Sequence, residues 1–96
     1  MAAAEKVIII RNRQGLHARP AALFVQTANK FDSDISVEKD GEAVNGKSIM
    51  GIMMLAAEKD SKVKISAEGS DAKQAVAELA ALLIGDIEEP DILASK

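Results

Sequence analysis

The chain has 96 residues, a mass of 10.1 kDa and 48% hydrophobic residues, which together indicate one small globular domain and exclude global disorder. A net charge of −3 and only two aromatic residues, Phe24 and Phe31, exclude a basic, base-stacking surface, so we expect no nucleic-acid binding. The absence of cysteine and the presence of a single histidine leave no disulfide framework and no ligand cluster, so we expect neither a metal nor a cofactor.

Nothing in the sequence predicts insertion into a membrane. No apolar run approaches the ~20 residues that span a bilayer. The first residues, from Met1 to Glu5, lack the charged and apolar regions of a signal peptide. We therefore expect a cytoplasmic protein.

The first predicted elements are a strand and a helix. Residues 6–11 form a short apolar run rich in β-branched side chains, which favours a strand that lies centrally in a sheet or is well covered. After Pro20, apolar residues recur at helical spacing and predict an amphipathic helix: Ala21, Phe24, Val25, Ala28 and Phe31.

The middle of the chain predicts a hairpin and a short helix. Ile35 and Val37 alternate with polar residues, as in a half-buried strand, and Asp40-Gly41 is a two-residue turn signal before a third strand near residues 42–45. Ser48, a favourable N-cap residue, then precedes the apolar segment 49–56, which predicts a short helix.

The last third predicts a strand and a long helix. Val63, Ile65 and Ala67 alternate with polar residues up to Gly69, and apolar residues from 72 to 83 step by three and four. Ser70 or Asp71 is the expected N-cap, and Gly85 the expected end. Residues 86–96 have no sustained period, so we expect a domain over residues 1–85 and a loose tail over 86–96.

The order β-α-β-β-α-β-α predicts an α+β fold. It matches a split β-α-β arrangement, in which a hairpin and crossovers produce an antiparallel sheet. The helices then lie on one face, and the other face meets solvent.

His17 is the candidate reactive residue. If His17 is the N-cap of the first helix, Pro20 falls in the first turn, where its missing N–H costs nothing. The free N–H groups and the positive end of the helix dipole then favour a phosphate dianion and a neutral imidazole, and Arg19 adds a permanent charge. His17 can thus accept a phosphoryl group. From residue types alone, a solvated surface histidine is the more frequent alternative.

Two segments resemble the HPr family, the histidine-containing phosphocarriers of the phosphoenolpyruvate-dependent sugar phosphotransferase system. Residues 15–22 (Gly-Leu-His-Ala-Arg-Pro-Ala-Ala) resemble its active-site segment, and residues 47–53 (Lys-Ser-Ile-Met-Gly-Ile-Met) its second signature. Residues 65–69 form a third segment that resembles the family, and the resemblance covers the chain from about Lys6 to Leu83. The residues after Gly85 extend beyond the usual end of the family.

The resemblance implies a fold and a set of partners. The implied fold is an open-faced sandwich of three helices on a four-stranded antiparallel sheet. The implied function is transfer of a phosphoryl group, through Nδ1 of His17, from enzyme I to IIA domains of sugar permeases. It further implies that Ser48 is phosphorylated by HPr kinase/phosphorylase where that enzyme exists, although the N-cap role alone also explains a serine there.

Partners are expected to dock on an apolar surface formed by the first two helices. A short helix on a sheet buries one stripe, which Ile52 and Leu55 fill, so its other apolar residues must meet water. The alternative is that these residues are core or that methionine fills gaps. The expected docking patch comprises Ala18, Ala22, Leu23, Ile49, Met50, Met53 and Met54.

We therefore expect a monomeric phosphocarrier without turnover of its own, in which His17 and Arg19 perform the transfer. Two alternatives stay open at this point. One is a paralogue in a nitrogen-linked or regulatory relay, and the other is a non-catalytic interaction module of the same fold.

Overall fold

Four strands and three helices follow one another in the predicted order. The computed structural model describes residues 2–10, 18–55, 58 and 60–84, and for residues 18–20 and 84 it describes the backbone. The expected helix end at Gly85 and the expected tail lie outside the described residues, so the division into 1–85 and 86–96 stays a prediction. The elements are β1 (Ala3–Ile9), α1 (Ala18–Ala28), β2 (Asp34–Lys39), β3 (Glu42–Asn45), α2 (Ile49–Met54), β4 (Lys62–Glu68) and α3 (Ala72–Ile84).

The strands form one antiparallel sheet in the order β1-β4-β2-β3. The last strand in sequence, β4, lies between the first two. It pairs with β1 from Ala3↔Glu68 to Ile9↔Lys62 and with β2 from Asp34↔Glu68 to Glu38↔Lys64. The short strand β3 pairs with β2 alone and forms the other edge of the sheet.

All three helices lie on one face of this sheet. Val63, Ile65 and Ala67 of β4 are buried beneath them, whereas the alternate residues of β4 face solvent. Helix α3 packs on β1 and β4, α1 packs against α2 and α3, and α2 reaches β3. The predicted α+β open-faced sandwich is confirmed. The large, fully buried side chains at its centre are Phe24, Ile10, Ile52, Ile65, Leu79, Leu83, Val37 and Val63.

None of the helices in the described part of the chain combines the length and the apolar character that a membrane span requires.

The position of β1 corrects the sequence prediction. We expected this strand to be central or well covered, but it is an edge strand. Ile8 is buried under the helices, whereas Val7 and Ile9 are 54% and 43% exposed on the open face. A continuous apolar run suggested burial on both faces, but only the side chains on the helix side of β1 are covered.

The hairpin between β2 and β3 has the predicted turn. Asp40 and Gly41 have φ angles of 53° and 83°, and they connect the paired residues Lys39 and Glu42. Two successive positive φ angles are the signature of a type I′ turn, whose twist matches that of the flanking strands. The Asp-Gly signal is therefore confirmed.

Asp71 connects the start of α3 to the turn that follows α1. Its carboxylate accepts hydrogen bonds from the backbone N–H groups of Asp32 (2.9 Å) and Ser33 (3.0 Å) and from the Ser33 hydroxyl. The Ser33 hydroxyl first, and then the Asp32 N–H, hold the pKa of Asp71 below its ordinary value of 3.8. Gly69 permits this approach, because a Cβ there would lie 2.8 Å from Ser33 Cα.

The Asp71 contacts predict acid sensitivity. Since the pKa of Asp71 is lowered in the folded state, its stabilisation is present above about pH 4 and is lost as pH falls through the folded-state pKa. Asp71→Asn should flatten this part of the pH dependence. Urea unfolding between pH 7 and pH 2 measures it, with Asp34→Asn, which removes an exposed carboxylate of β2, as the control. An unchanged pH dependence in Asp71→Asn would contradict this assignment.

Candidate functional site

Helix α1 begins where the sequence analysis expects it. Its first residue is Ala18, so Pro20 falls in the first turn and His17 directly precedes the helix in sequence. The first turn contains no acidic residue that would neutralise the positive end of the dipole. His17 lies outside the described residues, and Arg19 is described by its backbone, so their roles stay predictions.

Apolar spacing fixes how α1 lies on the sheet. Ala21, Phe24 and Ala28 are fully buried and recur with the spacing of one helix face. Ala22 and Leu23, two members of the expected docking patch, lie on the flank of this buried face and are half-buried. Ala18, the third member on α1, is described by its backbone.

Ser48 is the N-cap of α2, as predicted. Its backbone is extended, with φ −113° and ψ 118°, and its Oγ accepts a hydrogen bond of 3.1 Å from the Gly51 N–H. The Ser48 carbonyl accepts the first helical bond, 3.0 Å from the Ile52 N–H. Ser48 is half-buried, and its hydroxyl stabilises the start of α2.

Helix α2 buries one stripe and exposes the remainder. Ile52 and Leu55, which follows the last helical residue, are buried. The other large apolar side chains are exposed: Ile49 by 40%, Met50 by 67%, Met53 by 43% and Met54 by 74%. The helix can lie this close to the sheet because Gly51 has no side chain; a Cβ there would be 3.3 Å from the Asn45 carbonyl oxygen. Four of the seven expected patch residues are thus exposed, in addition to the half-buried Ala22 and Leu23.

A pair of polar side chains, which the sequence analysis did not identify, connects α1 to the segment that carries Ser48. Lys47 Nζ donates a 2.7 Å hydrogen bond to the Phe31 carbonyl, just after the end of α1. Asn29 Nδ2 donates to the carbonyls of Val25 (2.9 Å) and Lys47 (3.4 Å). The positive ammonium group also complements the negative end of the α1 dipole. No local sequence signal identifies the bonds from Lys47 to Phe31 and from Asn29 to Lys47, because each joins residues that are distant along the chain.

The described residues offer no metal-binding cluster. Within residues 2–10, 18–55, 58 and 60–84, no three His, Asp or Glu side chains converge in a geometry that could hold an ion.

Comparisons with known proteins identify a matching family model and similar chains. A family model described as the PTS HPr component phosphorylation site matches residues 4–84. The chain is 51% identical over 77 residues to the HPr-like protein Crh of Bacillus subtilis, and the match covers 80% of this chain and 91% of that protein.

Solved structures agree with the family model. The chain is similar to the crystal structure of the phosphocarrier protein HPr from Bacillus anthracis, with a TM-score of 0.83, 53% identity and coverage of 86% of this chain and 99% of that one. It is also similar to the crystal structure of an HPr dimer from Thermoanaerobacter tengcongensis, with a TM-score of 0.62, 56% identity and coverage of 82% and 94%.

The capping geometry predicts the effect of removing the Ser48 hydroxyl. Ser48→Ala should lower the free energy of unfolding by about 1 kcal/mol, because the Gly51 N–H loses its acceptor. Ser48→Thr, which retains a capping oxygen, should lose less. Urea unfolding of the three proteins measures the difference, and equal stability of Ser48→Ala and the unmodified chain would contradict the importance of this cap.

Proposed function

Because the chain belongs to the HPr family of phosphocarrier proteins, we propose that His17 carries a phosphoryl group from enzyme I to IIA domains of sugar permeases in the cytoplasm. The observation that carries this proposal is the position of the only histidine, immediately before the first residue of an 11-residue helix. Such a position combines a nucleophile with unsatisfied backbone N–H groups and the positive end of the helix dipole.

The proposed transfer needs no catalytic turnover by this chain. The lone pair of an imidazole nitrogen, Nδ1 by family resemblance, attacks phosphorus, and the bond between phosphorus and the donor atom breaks as the new N–P bond forms. Transfer to the acceptor repeats the same exchange in the opposite sense. The positive end of α1 favours the negatively charged phosphoryl group that the histidine then holds.

Arg19 is proposed to balance the charge of the group in transit. Phosphoryl transfer is accelerated mainly by positioning and by electrostatic stabilisation of the equatorial oxygens. A guanidinium group two residues after His17 provides a planar donor that stays charged throughout the cycle. Its role depends on being close to the phosphoryl group in the complex with the donor or acceptor.

The donor and the acceptor are different proteins, and both must dock in turn on the same surface. We propose that they use the docking patch, whose α2 members are exposed. Three of the four methionines of the chain lie in this helix, and flexible thioether side chains can repack against different partners. Lys47 and Asn29 connect α1 to the start of α2, which supports a patch with a fixed arrangement of its two helices.

A second candidate function is regulation through Ser48. The chain is 51% identical to the HPr-like protein Crh of Bacillus subtilis, which is described as a catabolite repression HPr. This similarity favours a regulatory function. In this alternative a serine kinase, of the HPr kinase/phosphorylase class, modifies Ser48 at the edge of the patch. The two functions are compatible within one chain, and the modified residue distinguishes them.

Labelling with phosphoenolpyruvate and enzyme I tests the carrier function. The chain should acquire one acid-labile, base-stable phosphoryl group, and His17→Ala should acquire none. Arg19→Ala should fold normally but transfer more slowly, by about 2 to 4 kcal/mol in transition-state free energy. Arg19→Lys, the matched control, should recover part of the loss because it retains the charge. Normal labelling of His17→Ala would refute the carrier function.

A negative charge at Ser48 should weaken docking to enzyme I. Ser48→Asp should lose roughly 1 kcal/mol or more of binding free energy, because the carboxylate must be desolvated beside Ile49 and Met50. Ser48→Asn is the control, since asparagine is also a good N-cap but is neutral. Isothermal titration calorimetry of the two variants measures the difference. Equal affinities would count against a charge-controlled switch.

Met50 is the expected centre of the docking patch. Met50→Ala should weaken binding to enzyme I and to acceptors by at least ~1 kcal/mol while changing stability little, since Met50 is 67% exposed. Val7→Thr, which alters an exposed apolar residue on the opposite face, should bind normally. A Met50→Ala variant that loses ~2 kcal/mol of stability and binds partners normally would show that Met50 is core and the patch is misplaced.

A further inference from the structure

The open face of the sheet presents two apolar side chains beside two lysines. Val7 and Ile9 of β1 are exposed there. In the antiparallel register Val7 lies directly opposite Lys64, and Ile9 lies directly opposite Lys62. Directly opposite residues of an antiparallel pair have their Cβ atoms about 5 Å apart on the same face of the sheet. These four side chains form one surface, which we call the lysine-flanked patch.

No described element covers the lysine-flanked patch, since all three helices lie on the other face of the sheet. Lys64 is shared between two carboxylates, that of Glu5 at 3.6 Å and that of Glu38 at 3.5 Å. Lys62 is exposed and forms no salt bridge within the part of the chain that the structure describes. The patch therefore suits a ligand that combines apolar side chains with an acidic group directed at Lys62.

Helix α3 brings the end of the described chain close to this patch. It begins directly after β4, where the Ala72 N–H donates to the Gly69 carbonyl (3.3 Å), and it packs on β1 and β4. Its 13 residues extend about 20 Å, a length similar to that of the seven-residue strand β4. The helix therefore runs back along these strands, and Ile84 lies over the end of the sheet where Ile9 pairs with Lys62.

The segment after Ile84 is long enough to pass around β1 to the open face. β1 is the edge strand, and no described strand lies beyond it. Layers of secondary structure pack about 10 Å apart, so the path from the helix layer to the open face is on the order of 20 Å. At roughly 3.3 Å per residue, Ile92 can lie as far as about 26 Å from Ile84, whereas Ile87 can lie only about 10 Å away. Ile92 and Leu93 can therefore reach the patch, and Ile87 cannot.

The same segment has the chemistry that the patch requires. Residues 86–91 contain four carboxylates: Asp86, Glu88, Glu89 and Asp91. Two large apolar residues, Ile92 and Leu93, follow directly. The other exposed apolar surface of the described residues is on α2, and the six residues of this helix include no charged side chain. An acidic and apolar segment is thus matched better by the lysine-flanked patch than by α2.

We propose that residues 91–93 of this chain (Asp-Ile-Leu) bind the lysine-flanked patch. The two apolar side chains pack on Val7 and Ile9, and the carboxylate lies beside Lys62. The family model matches residues 4–84, so the family match does not supply this contact. The bound segment replaces the loose tail that we expected from the sequence.

This contact leaves the proposed phosphocarrier surface free. The lysine-flanked patch lies on the open face at the β1 edge, whereas α2 lies on the helical side and packs against β3 at the other edge. The bound segment also covers the outer edge of β1, which contains neither a proline nor a bulge to block pairing with another strand. Failure of this contact would leave the proposed carrier function intact, and the reverse is also true.

A spin label on the tail of the full chain tests the contact. The chain has no cysteine, so Ala94→Cys accepts one nitroxide label beside the proposed contact. With isotope-labelled valine, isoleucine and methionine methyl groups, the signals of Val7 and Ile9 should lose most of their intensity, while those of Met50 and Met53 should keep theirs. Equal or greater loss at the methionines of α2, or no loss at any of these signals, would overturn the proposal.

A mixed sample distinguishes this chain's own tail from that of a second copy. The isotope-labelled chain without a spin label is mixed with the spin-labelled chain that carries no isotope label. The signals of Val7 and Ile9 should then keep their intensity, because each patch is occupied by the tail of its own chain. An equal loss of intensity in the mixed sample would show that a second copy supplies the tail and would overturn the proposal.

Substitutions in the tail test which residues make the contact, and they lie beyond residues 4–84 of the family match. In the spin-labelled chain, Ile92→Ser combined with Leu93→Ser should restore the signals of Val7 and Ile9. Ile87→Ser is the matched control and should not restore them, because Ile87 cannot reach the patch. Signals that the double substitution leaves broadened, or that Ile87→Ser restores equally, would overturn the proposed contact.

A substitution on the patch tests the charge match. Lys62→Gln should restore part of the lost signal, because the carboxylate loses its partner. Lys30→Gln, which removes an exposed lysine after the end of α1, is the matched control and should restore none. Equal signal loss in the two variants would overturn the pairing of the tail with Lys62.

Discussion

The structure depends on the pairing of β4 with both β1 and β2. This strand lies at the centre of the sheet, and its buried face, Val63, Ile65 and Ala67, supports the helices. Because all three helices cover the same face, each strand contributes one set of alternate residues to a single core and the other set to solvent. The division of the surface into a helical side and an open side follows from this pairing.

The exposed apolar part of the proposed docking patch is a consequence of limited burial on the helical side. Helix α2 has six residues, and contact with the core requires only Ile52 together with the following Leu55. Its other large apolar side chains have no place in the core and meet water, where they can contact partners. The Ser48 cap and the contacts of Lys47 and Asn29 hold this short helix against the end of α1. A modification at Ser48 would therefore place a charge beside the exposed apolar side chains of α2, at a helix end that hydrogen bonds hold in position.

Much of this arrangement is predictable from local sequence signals. The type I′ turn at Asp40-Gly41, the Ser48 cap, the strand of alternate residues around Ile65 and the apolar stripe of α3 each depend on neighbours in the chain. The edge position of β1 was not predictable in this way, because strand order depends on partners distant in sequence. The same holds for the bonds that Asp71 accepts from Asp32 and Ser33 and for the bond from Lys47 to Phe31. The chemistry expected of His17 came from its place directly before a helix and from a motif resemblance, and it stays a prediction.

In the proposed function the helical side of the molecule, and not the open side, receives the phosphotransfer partners. Methyl NMR of the full chain, labelled at methionine, valine and isoleucine methyl groups and titrated with enzyme I, tests it most directly. We expect the methyl signals of Met50, Met53 and Met54 to shift or broaden on binding, while those of Val7 and Ile9 are unaffected. Shifts confined to Val7 and Ile9, with unchanged methionine signals, would contradict it.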